Sequence, residues 1–173
     1  MLICGEAWAL DEFEGVKCGS DIPKALVGKH ASNGRVMVTE DRHKDLGLKG
    51  LGGSEISDRL FLESWRVCGN EFELLVNTRN GLIRDVLPSP PHSANSPQFI
   101  GQCQLNRRDI PEMVVAVLDN SAGYNARNAL QAKTLLKAKF AWKIDERQER
   151  FAELPAECLS CPLSGIITVD GGQ

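Results

Sequence analysis

The sequence predicts an α+β fold: a mainly antiparallel sheet built on a three-stranded meander at about 59–87, with a C-terminal helical segment at about 124–153 packed on one face. Three observations carry that prediction. RLFLESWRV and EFELLVN alternate apolar and polar residues at the period of two that a half-buried strand requires. LIRDVL resumes the alternation after Asn80-Gly81, a pair suited to a type I′ hairpin turn because both central residues tolerate positive φ. NARNALQAKTLLKAKFAWKIDERQERFAEL is dense in helix formers until Pro155 stops it.

The remaining elements follow in chain order. MLICGEAWAL reads as a strand or buried turn, DIPKALVGKH as a short helix after Pro23, and GRVMVTED as a strand near Val36 to Thr39. Gly47, Gly50, Gly52 and Gly53 crowd into a flexible loop at 47–53. On the middle strand of the meander, Phe72, Leu74 and Val76 face the core, and Glu71, Glu73 and Asn77 a wetter side. The segment 88–98 holds four of the eight prolines and reads as an extended loop or arm, since proline fixes φ and lacks a donor. FIGQCQL and MVVAVLD are further strands, the second apolar on both parities and therefore covered on both faces. Asp145 and Gln148 have the spacing of a capping box, which places a second helix after a break near Phe140 to Ile144. GIITVD is a last strand.

With 173 residues, 42% apolar and 25% charged, the chain suits one domain spanning 1–173 with an ordinary core. A formal net charge of -3 sets up no general field for nucleic acid or acidic membrane. No stretch approaches the roughly 18 unbroken apolar residues of a membrane span, and the N-terminus has no basic leader. The expectation is a cytoplasmic or intracellular protein without a membrane partner, its six scattered cysteines mostly reduced and buried.

Several groupings bear on chemistry. Cys158-x-x-Cys161 has the spacing at which two thiolates share one zinc ion, with Cys4, Cys18, His30 or His43 to complete the site; this supports a zinc-stabilised regulatory domain. Asp119 and Ser121 lie between a buried strand and a predicted helix, where carboxylate and hydroxyl oxygens can hold a divalent cation; capping of first-turn amides uses the same residue types. Over five positions the stretch resembles the metal-adhesion loop of von Willebrand A domains, with Gly123 where that pattern has its second serine. Glu63, Glu73 and Asp85, gathered at one sheet edge, would hold magnesium for phosphodiester cleavage, a nuclease-like reading that lacks the Glu-x-Lys of such enzymes. Lys133, Lys137, Lys139 and Lys143 form a basic face on the predicted helix, open to nucleic acid or an acidic partner. No Gly-x-Ser-x-Gly elbow or P-loop ending accompanies the three histidines or the glycine run.

With no complete catalytic set, the sequence favours a non-enzymatic binding or assembly protein: an oligomer subunit or a phage-like or secretion-associated accessory factor, with a protein partner or self-association and no cofactor. A metal-dependent nucleic-acid-processing enzyme is the alternative.

Overall fold

The computed structural model describes residues 11–32, 36–123 and 134–162. The chain divides into two compact units, Met1–Val86 and Leu87–Gln173. Among the described residues the fold is mostly β, with two antiparallel sheets of four and seven strands and two short helices.

The first unit opens with helix α1 (Ile22–Leu26), which starts just before Pro23, the residue after which a short helix was expected, and whose cap Asp21 accepts from the Lys24 amide. Helix α2 (Val36–Arg42) occupies the stretch read as a strand, and a 3-10 turn (Lys44–Leu46) follows it. The sheet runs β1 (Lys49–Glu55), β2 (Leu60–Val67), β3 (Asn70–Asn77), β4 (Ile83–Pro88), side by side in chain order. The meander is therefore present, and β1 extends it. The glycine run that suggested a flexible loop lies mostly inside β1, where a register slip between Gly50 and Gly52 accommodates Leu51.

The turns were placed differently by the fold. β2 and β3 are joined by Cys68-Gly69, with φ of 51° and 80°, the double positive φ of a type I′ turn. At 77–82 Gly81 alone is left-handed, and the Asn77 side chain accepts from the amides of Arg79 and Asn80. Trp65, Val67, Phe72, Leu74 and Val76 pack with Phe13, Leu26 and Ile83 as the core of this unit. The second face of β3 is buried too: Glu73, Leu75 and Asn77 are all nearly inaccessible, so the expected wetter side is not wet.

The second unit contains β5 (Gln98–Gly101), β6 (Gln104–Leu105), β7 (Arg108–Asp109), β8 (Val114–Leu118), β9 (Leu135–Asp145), β10 (Arg150–Glu153) and β11 (Leu159–Pro162), with a 3-10 turn at Ala156–Cys158. Their order is β5-β8-β9-β11-β6-β7, and β10 also pairs with β9. β10 and β11 run along β9 as one interrupted strand. Seven steps from Glu153 to Ser160 face five from Trp142 to Lys137, and the 3-10 turn takes up the surplus. Phe99, Val114, Ala116, Leu118, Leu136, Ala138, Ala141 and Leu159 form the core of this unit.

The α+β expectation is thus overturned where the C-terminal helix was placed: 135–145 and 150–153 are strands, and the preceding 124–133 lies outside the described residues. The physical reason is local. Helix propensities differ by tenths of a kcal/mol per residue, and burial between β8 on one side and β10 and β11 on the other outweighs them. Leu136 and Ala138, then Ala141, face the core one step out of phase, because Lys139 is an extra residue against the Val117–Leu118 pair of β8. That phase break hides the strand period. Asp145 does accept from the amides of Arg147 and Gln148, as a cap would, but it closes the β9–β10 turn and Glu149 turns left-handed at φ 51°.

Four of the cysteines expected to be reduced form disulfides, Cys18–Cys68 and Cys103–Cys161. No described helix is long and apolar enough to cross a membrane. The strands read at 1–10 and in GIITVD lie outside the described residues.

Candidate functional site

In the first unit a group of acids is folded against the core face of the sheet. Asp11 closes a turn by accepting from the Phe13 amide at 3.0 Å, which drives the Phe13 ring inward to 5.0 Å from that of Trp65. The same carboxylate takes His43 Nε2 at 2.7 Å and Arg42 Nη1 at 3.1 Å, Arg42 from the end of α2 and His43 from just beyond it. Glu12, next along the chain, is fully buried. Its Oε1 accepts from the Ser32 hydroxyl at 2.8 Å, and among the described residues its Oε2 has no hydrogen-bond partner. Glu63 on β2 shares the sheet face of Trp65, whose indole N–H donates to it at 3.4 Å. Burial pushes both Glu12 and Glu63 above the ordinary carboxyl range; Asp11 adds to the effect at Glu12, and Glu12 adds to it at Glu63. Such a group can hold a proton where a solvated acid has lost it.

The acids proposed to gather for magnesium are kept apart. Glu63 pairs with Leu74 and Glu73 with Ser64, so their side chains leave opposite faces of the sheet. Glu73 is buried and accepts from the Ser64 hydroxyl. Asp85 sits on β4, beyond β3, about 10 Å from β2 by strand spacing, and its carboxylate accepts from the Val86 amide.

Asp119 and Ser121 do form a local pair at the end of β8. The Ser121 amide donates to the Asp119 carboxylate at 3.1 Å, and this contact with the Ser121 hydroxyl and Lys139 holds that carboxyl below its usual range. Asn120 between them is buried and grips the 94–95 loop through the carbonyls of Ala94 and Asn95. The stretch therefore fastens a strand end to a loop.

Cys161 is buried and bonded to Cys103, while Cys158 is a free, exposed thiol. Cys158 ends the 3-10 turn and Cys161 is held in the disulfide, so the two are not a pair of free thiols. Among the described residues no three His, Cys, Asp or Glu side chains stand together to hold a metal ion.

The lysines predicted on a helix lie on β9, except Lys133, which is outside the described residues. Lys143 is bound to Glu112 at 3.1 Å, and Lys139 reaches the Ser96 hydroxyl at 2.7 Å and Asp119 at 3.8 Å. Lys137 is exposed between Leu135, 43% exposed, and Phe140, 49% exposed. The bulge at Lys139 sets Phe140 opposite Val117 and leaves its ring half in solvent. Neither Phe140 nor Glu12 was singled out by the sequence, since one depends on a bulge and the other on burial. Searches of protein-family models, curated proteins and solved structures give no match to the chain.

Proposed function

We propose that the chain is a non-enzymatic binding or assembly protein, and that its contact surface is the outward side of β9 around Phe140. The observation that supports this is an aromatic ring held half-exposed on a paired strand, beside a second exposed apolar residue, Leu135. Large apolar side chains on rigid backbone are what protein interfaces use as anchors, because little conformational freedom is lost when they are covered. Lys137 beside them favours a partner with acidic groups at its rim. A nucleic acid is less well served, as Lys139 and Lys143 already have carboxylate neighbours.

A photo-reactive residue at position 140 is expected to give one discrete adduct in the source cells, either with a second copy of the chain or with another protein. Adding Lys137→Glu should abolish it. No adduct, or one indifferent to Lys137→Glu, would count against the reading.

The two disulfides support a site of action in an oxidising compartment, in place of the cytoplasm expected from the sequence.

A further inference from the structure

Among the side chains that fasten the turn at 11–16 to the first unit, Glu12 is the one whose charge burial disfavours. Glu12 is fully buried, one carboxyl oxygen is satisfied by Ser32 and, among the described residues, the other by nothing. Among the described residues, the charged groups around it offer no compensation. Lys29 Nζ is spent on the carbonyl oxygens of Glu12 and Glu14, at 2.9 and 2.8 Å. Arg42 at the end of α2 and His43 just beyond it are spent on Asp11, and Glu40 of α2 accepts from the Gly50 amide. Asp11 from the turn and Glu63 from β2 are acids. The Ser32 hydroxyl and the backbone amides of Glu12 and Ser32 favour the charged form, but burial outweighs them, so the neutral acid persists to higher pH than it would in water.

We propose that Glu12 is a proton-held latch: as a neutral acid it keeps the 11–16 turn seated on the sheet, and loss of its proton as pH rises loosens that turn. The loosening unseats Phe13 from Trp65 and frees the Val16 amide from the Phe13 carbonyl, 3.0 Å away. The sign follows from linkage. A carboxyl raised above the ordinary glutamate value of 4.5 binds its proton more tightly folded than unfolded, so stability falls as pH rises from that value through the folded one.

The test compares the purified full chain with Glu12→Gln, which keeps shape and the Ser32 contact but cannot ionise. For the unaltered protein, the melting temperature is expected to fall by about 3 °C or more between pH 5 and pH 9, roughly one kcal/mol for a chain of this size. Hydrogen exchange at Phe13 and Val16 should accelerate beyond its ordinary base catalysis. Glu12→Gln should show neither change. Parallel melting curves for the two proteins would overturn the latch. If Glu12→Gln does not fold, the carboxyl-carbon resonance of Glu12 in the unaltered protein decides: titration well above other glutamates supports the latch, and titration among them overturns it.

Discussion

Gly53 stands on β1 where it is packed directly against Phe61 and Leu62 of β2. A Cβ there would lie 2.5 Å from the Phe61 ring and 2.6 Å from the Leu62 carbonyl oxygen, and backbone cannot give way as a side-chain tip can. Gly53→Ala is therefore expected to cost about 1–3 kcal/mol, seen as a lower urea midpoint; an unchanged midpoint would refute the close approach. The sequence showed the glycines and read them as a loop, because glycine marks mobile chain as readily as tight packing. What separates the two is a neighbour nine residues away, and nothing local names it. Glu12 is the same case in charge: an acid in an acidic stretch, whose burial only the fold creates.

At the scale of the element, two turns were misjudged in an instructive way. Asn77 and Asp145 each accept from the two amides that follow two and three residues on, and each turn ends in a left-handed residue, Gly81 or Glu149. This is the amide capture that begins a helix, used to reverse a strand. Asn77→Ala should cost about 1 kcal/mol in chemical denaturation, and a variant as stable as the parent would show that the capture contributes nothing. The local chemistry at Asp145 was legible in the sequence. The direction the chain then takes was not, because pairing of Arg150 to Glu153 with Asp145 to Trp142 decides it. The same pairing places the β9 lysines on a strand, so the basic helical face never forms.

At the scale of the whole molecule, each unit carries one disulfide, across sequence separations of 50 and 58 residues. Closing loops of that length restricts the unfolded chain by about 4 kcal/mol each. Reduction should lower the denaturation midpoint sharply, and alkylation of the native protein should label Cys158 while sparing Cys18, Cys68, Cys103 and Cys161. Labelling of all five without reductant would remove both the cross-links and the argument for an oxidising compartment.

The meander, the both-faced burial of MVVAVL and the presence of a short helix in DIPKALVGKH were determined by the sequence alone, because periodicity and proline placement act between residues a few positions apart. The strand character of 135–153, the cysteine partners, the separation of Glu63 from Glu73 and Asp85, and the burial of Glu12 were decided only in three dimensions. Each depends on which distant segment lies alongside, and that is a property of the packed sheets.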